Sequence, residues 1–248
     1  MEEVARHYGR PVLLDTLLGA LRDSGTDIAN LTLDDLAPMD EFHIRGREAT
    51  AELADLSGLQ SHWHVVDVGC GLGGSSRYLA QRFGCRVTGV DLTPEFCEVA
   101  ADLTRRVGLD GRVEFRCASA LAMPLDDASA DLAWTQHVQM NIEDKAGLYR
   151  EIARVLKPGG LFAFHDILAG PGGETFFPVH WADHAGLSHL IAPEALRELL
   201  QQSGFRILEW RDKTAVSRDW FVAAMERARS RPPNMPPPRA SICCSVAT

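Results

Sequence analysis

The sequence predicts an α/β fold: one parallel sheet wound with helices on both faces, with helices in front of it. Three observations carry this. Short apolar runs alternate with stretches of helical period from His64 to Trp210. The first run leads straight into a glycine cluster that opens a helix. The chain has 248 residues, 46% hydrophobic and 24% charged, which suits one large α/β domain and neither a disordered nor a fibrous chain.

Each element follows from a local pattern. Leu13, Leu14, Leu17, Leu18 and Leu21 form a helical stripe within 11–24, and Arg47–Leu56 carries Ala49, Leu53 and Leu56 on one face. The polar stretch 32–46 joins them. Val65–Val68 is a short strand, and Ser75–Phe83 a helix stopped by Gly84. Arg86–Leu92 is a strand that ends near Asp91. Pro94–Val107 is a helix whose proline sits in the first turn, where a missing N–H is harmless. Arg112–Cys117 and Asp131–Val138 read as strands. Asp144–Leu156 is a helix stopped by Lys157, Pro158, Gly159 and Gly160. Leu161–Leu168 is a buried strand, Pro193–Ser203 a helix and Phe205–Trp210 a sixth strand. The expected organisation is an N-terminal helical cap over 1–60 and a core over 61–228. A lid spans 169–192, because a loop this long without periodicity is usually functional. A Pro-rich tail covers 229–248; its prolines cannot enter a ladder, so it is expected to pack poorly, with a seventh strand at Ala240–Ala247 missing or displaced. An unpaired sheet edge there favours a homodimer over a clean monomer.

Composition narrows the function. A net charge of -9 argues against nucleic acid or an anionic membrane as the main partner. No apolar run approaches the roughly 20 residues of a membrane span, and residues 1–10 lack a signal-peptide core. Six scattered cysteines, with no CxxC pair, suggest neither a disulfide framework nor zinc, and a reducing cytoplasm is the default. Cys70 reads as a small filler, and Cys243 and Cys244 as bystanders.

Asp67, Gly69, Gly71, Gly73 and Gly74 carry the chemistry. Glycines let backbone turn tightly against a ligand, and the helix that follows offers free N–H groups to an anion. Asp91, at the end of the next strand, suits ribose hydroxyls. A nucleoside with an anionic arm is therefore expected: a dinucleotide or S-adenosylmethionine. Gly69, Gly71 and Gly74 satisfy G-x-G-x-x-G, so that spacing alone decides nothing. Asp67 tips the balance, since a carboxylate there suits a cofactor that bears an ammonium group.

The ordered set Asp67-x-Gly69-x-Gly71-x-Gly73, Gly89-Val90-Asp91, Ala120-x-x-Met123-Pro124 and Leu156 to Gly160 resembles the motifs of class I S-adenosylmethionine-dependent methyltransferases, over roughly residues 40 to 220. It is most similar to the small-molecule branch that includes sarcosine/dimethylglycine, phosphoethanolamine and tocopherol methyltransferases. Phe42 to Thr50 looks like that branch's segment folded over the cofactor. The resemblance implies a Rossmann-like sheet of the methyltransferase type, and a methyl transfer to N or O of a small molecule. It also implies that Gly69, Gly71 and Gly73 line the methionine moiety with Asp67 near its ammonium. Asp91 would hold the ribose, Leu92 and Ala120 would lie at the adenine, and Gln136 would sit beside the methionine part. Ser119 stands where relatives carry an acid for the adenine amino group.

Thr135 to Lys145 follows the branch's S-x-D-x-x-L-H-x-x-D-[KR] pattern, with His137 in place of its Asp and Asn141 in place of its His. An anion opposite an ammonium substrate is thereby lost, which disfavours choline-type and betaine-type substrates. His137, at a strand end beside the transferred methyl, is the candidate catalytic base, because imidazole titrates near neutrality. His43, Gln139, Asn141, His165 and Trp181 are the candidate substrate contacts. His180, His184 and His189 enrich the lid, yet no spacing is diagnostic of a metal. Two alternatives remain at this point: a dinucleotide-dependent oxidoreductase, and a cofactor-binding protein without activity.

Overall fold

The computed structural model of the protein describes residues 13–173 and 175–229. Five strands form one parallel sheet: β1 (His64–Val68), β2 (Arg86–Asp91), β3 (Val113–Cys117), β4 (Ala130–Gln136) and β5 (Leu156–His165), in the order β3-β2-β1-β4-β5. Strand order reverses between β1 and β4, so the carboxyl ends of those two strands flank the crevice where such sheets bind ligands.

Helices α1 (Leu13–Asp23), α2 (Leu33–Asp40) and α3 (Gly46–Ser57) precede the sheet. Helices α4 (Gly74–Phe83), α5 (Pro94–Arg106), α6 (Lys145–Val155) and α7 (Pro193–Gln202) alternate with or follow the strands, and α8 (Thr214–Arg229) ends the described chain. Alternate residues of β1 point to opposite faces. Val65 packs with Leu79, Val87, Leu132 and Trp134, whereas Val66 and Val68 pack with Leu148, Ile152 and Leu196. A third cluster joins α1 and α2 to α5 through Leu18, Leu36, Leu103 and Leu72. Leu36 and Leu103 are completely buried, and each such side chain contributes about 1.5–3 kcal/mol.

Three expectations change. Helix α2 arises inside the polar stretch 32–46, where Thr32 and Asp35 form a capping box. Its apolar face is only Leu33, Leu36 and Met39, and a proline lies within it, which hides its period. Strand β5 begins at Leu156, and Lys157 to Gly160 form an irregularity inside it: Ala130 pairs with Leu156, and Leu132 next pairs with Leu161. Residues 205–210 are no strand. Phe205 and Trp210 set their rings 5.6 and 5.8 Å from Phe162 and Phe164 of β5, and both segments line one cavity, but the backbone of 205–210 joins no ladder. Residues 214–229 are helical, although their apolar positions mark no clear face. Residues 230–248, with the proline run and Ala240–Ala247, lie outside the described residues.

Candidate functional site

β1 runs into a turn in which Gly69, Gly71 and Gly73 have φ of 72°, 54° and 81°. That left-handed region suits glycine. A Cβ at Gly69 would fall 2.5 Å from Cγ2 of Val138, so the turn rests directly on the loop that follows β4. Added at Gly71, a Cβ would meet nothing within 4 Å, which leaves that face of the turn open. Asp91 ties the turn to β2: one carboxylate oxygen accepts the Gly71 N–H at 2.9 Å and the other the Thr93 N–H at 2.9 Å. Burial raises its pKa against the pull of these donors. Asp67 lies buried beneath the turn and accepts a hydrogen bond from Ser76 Oγ at 2.6 Å; burial, with Asp91 nearby, lifts its pKa to about 7. Leu92 and Ala120 are half-buried beside this crevice, and Ser119 Oγ accepts the Leu121 N–H at 3.1 Å.

A buried ion pair holds this half together. Arg77 of α4 donates to Asp40 of α2 and to the carbonyl of Leu72 in the turn, both at 2.6 Å, and to Thr104 of α5 at 2.9 Å. Both partners of the pair are essentially inaccessible.

The other half lies at the ends of β4 and β5. His137 takes φ 55°, which ends β4 at Gln136 and turns its ring toward two others. The rings of His43, His137 and His165 lie 5.1 to 6.2 Å apart. The His137 N–H donates to His165 O at 2.9 Å, and the Val138 N–H donates to Asp166 Oδ1 at 3.1 Å. Burial drives His43 and His165 down to about 4 and His137 well below its usual value, with the neighbouring rings adding to the shift at His43 and His137. The imidazoles are therefore neutral at pH 7, below the near-neutral pKa that a free histidine offers. Burial also lifts Asp166 to about 8.

His137, His165, Asp166 and Trp181 line a cavity of about 1490 Å³ along the outer edge of β5, whose floor includes Phe162 and Phe164. Phe176 stands at its wall, 85% exposed. The remaining predicted substrate contacts do not line this cavity. Gln139 is buried and accepts from Tyr149 Oη at 3.2 Å. Asn141 donates to the carbonyls of Trp181 at 2.6 Å and Leu187 at 3.0 Å, and so fastens the 169–192 loop to the loop after β4. His43 faces Gly46 O and Thr50 Oγ1, at 2.9 and 3.0 Å. Among the described residues no group of three or more His, Cys, Asp or Glu is arranged to hold a metal ion.

Sequence reasoning missed Arg77, Asp40, Thr50 and Ser75. The first two are charged residues 37 positions apart in sequence, and nothing short-range couples them. Asp166 lies within the strand expected over Leu161–Leu168, and its hydrogen bond to the loop after β4 could not be read there.

A parallel sheet with a glycine turn at its switch point and an acid at the end of β2 defines an α/β protein that binds a nucleoside-bearing cofactor. Residues 66–164 match the family model described as "Methyltransferase domain". The chain is 32% identical over 216 residues to the sarcosine/dimethylglycine N-methyltransferase of Halorhodospira halochloris, covering 86% of this chain and 75% of that one. It is 44% identical over 96 residues to the chloroplastic tocopherol O-methyltransferase of Arabidopsis thaliana, but that match covers 39% of this chain and only 28% of the relative. A phosphoethanolamine N-methyltransferase of Haemonchus contortus, solved with S-adenosyl-L-methionine, shares the fold with a TM-score of 0.69 at 22% identity, over 80% of this chain and 47% of its own. The chain belongs to the S-adenosylmethionine-dependent methyltransferases. Among the described residues no helix is long and apolar enough to cross a membrane.

Proposed function

We propose that the protein moves a methyl group from S-adenosylmethionine to an oxygen or nitrogen of a small molecule seated along the outer edge of β5. One observation carries this reading. The glycine turn rests on Val138, the helix it opens reaches Gln136 through Ser75, and His137 between those two residues belongs to the cluster of neutral histidines.

The residues of the turn fit the cofactor. Gly71 leaves room beside backbone held by Asp91, and Gln136 keeps a buried amide N–H2 without a partner. In this reading Asp67, Gly69, Gly71 and Gly73 surround the methionine end, Asp91 takes the ribose, and Leu92, Ser119 and Ala120 border the adenine. The cofactor supplies a methyl group already activated on a sulfonium, so the protein's task is alignment. His137 and His165 present neutral imidazoles that accept a hydrogen bond from the acceptor. Asp166 is held largely neutral at pH 7, which leaves no fixed anion beside His137 for an ammonium substrate. A neutral acceptor such as a hydroxyl suits this end of the cavity best. Asn141 serves as the anchor of the 169–192 lid. The protein acts as a monomer or homodimer, and its four described cysteines, all free, suit the cytoplasm.

Calorimetric titration with S-adenosylmethionine, S-adenosylhomocysteine and NAD tests the cofactor half. The first two are expected to bind and NAD is not. Binding of NAD alone would replace this reading with a dinucleotide enzyme. Radiolabelled methyl transfer to a panel of phenols, alcohols and amines tests the acceptor half.

A further inference from the structure

The end of β4 holds an amide whose orientation is fixed by its neighbours. Three groups converge on Gln136 Oε1: Ser75 Oγ at 2.7 Å, Trp134 Nε1 at 3.0 Å and Thr50 Oγ1 at 3.2 Å. A hydroxyl faces either end of an amide, but an indole N–H only donates. The atom in front of Trp134 is therefore the oxygen, and the amide cannot turn over without stranding a fully buried indole. Nε2 is left buried with no hydrogen-bond partner. Leaving such a donor unmatched is destabilising, and a ligand that supplies an acceptor recovers this.

The three locking residues come from three elements. Trp134 belongs to β4 itself, Ser75 to the first turn of α4 next to the glycine turn, and Thr50 to α3. Thr50 is completely buried. Its hydroxyl also lies 3.0 Å from His43 Nε2 and 3.3 Å from Glu41 Oε2, so it joins the N-terminal segment to the amide. The helix turn that carries Ser75 is where an anionic group is favoured.

We propose that Thr50, Ser75 and Trp134 are positioning residues that lock Gln136 so that its amide N–H2 meets the carboxylate of the cofactor's amino-acid arm. Thr50 thereby couples cofactor affinity to the segment 41–50. This rests on the cofactor placement given above. Nothing covalent changes in the step: one hydrogen-bond donor gains an acceptor.

Two ligands separate the amino-acid end from the nucleoside end. S-adenosylhomocysteine carries the carboxylate, and 5′-methylthioadenosine keeps adenine and ribose without it. Calorimetry on the full chain compares both. Gln136→Glu keeps the locked oxygen and replaces the N–H2 with an acceptor. It is expected to weaken S-adenosylhomocysteine by about 10- to 100-fold, the range of a lost hydrogen bond to a charged group, and to leave 5′-methylthioadenosine within about threefold of wild type, a difference below about 0.7 kcal/mol. Thr50→Val is expected to weaken S-adenosylhomocysteine alone by about 3- to 10-fold, as for one neutral hydrogen bond, and Thr50→Ser to restore it. Equal weakening of both ligands would make these residues merely structural and overturn the proposal. So would unchanged S-adenosylhomocysteine affinity in Gln136→Glu. If Gln136→Glu fails to fold, Thr50→Val and Ser75→Ala decide by the same comparison. Asp91→Ala, placed at the ribose, weakens both ligands; if it weakens neither, the cofactor placement fails rather than the lock.

Discussion

The two halves of the site are built by different means. In the cofactor half, backbone contacts set the geometry: Gly69, Gly71 and Gly73 turn within five residues of β1, and Asp91 clamps the turn through the Gly71 N–H while its other oxygen accepts the Thr93 N–H. In the acceptor half, His43, His137 and His165 come from three distant segments, and the pairing of β4 with β5 and long-range packing bring them together. Each half also buries one carboxyl, Asp67 beneath the turn and Asp166 beside the histidines, and lifts its pKa. A cofactor half that is preformed and an acceptor half assembled by packing respond differently to substitution.

The largest effect is expected where the cofactor half is anchored. Arg77→Met leaves Asp40 as an uncompensated buried charge, which costs about 3–5 kcal/mol. Denaturant unfolding should show this loss, and Arg77→Met combined with Asp40→Leu should recover part of it. A single variant as stable as wild type would mean that the pair does not hold α2 against the turn.

Next comes the clamp. Asp91→Ala is expected to weaken S-adenosylhomocysteine by about 1.5–3 kcal/mol, the scale of hydrogen bonds to a charged group. Unchanged affinity would remove Asp91 from the ribose.

The two buried carboxyls sharpen the comparison through pH. Their folded pKa values, about 7 for Asp67 and about 8 for Asp166, lie above the ordinary carboxylate range. The folded chain therefore binds more protons than the unfolded chain up to those values, and stability falls as pH rises through 6.5 to 8. Each group contributes up to roughly 1.4 kcal/mol per pH unit. The histidines act oppositely, because their lowered pKa values mean stability lost as pH falls from 6.5 toward 4. Burial lowers Lys145 to about 8, which opposes the decline at the upper end of this window, so the comparison with Asp166→Asn, not the wild-type slope alone, isolates the carboxyl. Asp166→Asn should remove the larger part of the carboxyl contribution in this window, and bound S-adenosylhomocysteine, bringing an ammonium to Asp67, the smaller part. A profile from pH 6.5 to 8 that Asp166→Asn leaves unchanged would contradict this account of Asp166.

The smallest effect concerns the lid. Asn141→Ala removes two hydrogen bonds to the 169–192 loop, worth about 0.5–1.5 kcal/mol each. Faster proteolysis within that loop, with S-adenosylhomocysteine affinity unchanged, is the expected result. If cleavage is no faster, Asn141 does not restrain the loop.

How much the sequence disclosed follows the same division. The β1 strand, the glycine turn, Asp91 and the helices stopped by Gly84 and Gly108 were legible, because each is specified within about ten residues. The acceptor half was legible only as a set of polar residues at strand ends. That Gln139 and Asn141 face the core and the lid, while Trp181 faces the cavity, depends on how residues far apart in the chain meet. Helix α2 was hidden because three apolar residues carry no convincing period, although its capping box was there to be read in Thr32 and Asp35. The strand expected at Phe205–Trp210 has the right composition. Strand formation also needs a neighbouring edge within hydrogen-bonding reach, and a local pattern cannot supply that.

The two halves meet at Gln136 and His137, and one comparison there tests the account most directly. S-adenosylhomocysteine affinity is measured by calorimetry for wild type, Asp91→Ala and His137→Ala. The account predicts a loss of about 10- to 100-fold for Asp91→Ala, the range expected for hydrogen bonds to a charged group. It predicts wild-type affinity for His137→Ala, which stands on the acceptor side. Full affinity in Asp91→Ala, or a comparable loss in His137→Ala, would contradict the division of the site into a cofactor side at the glycine turn and an acceptor side at the histidines.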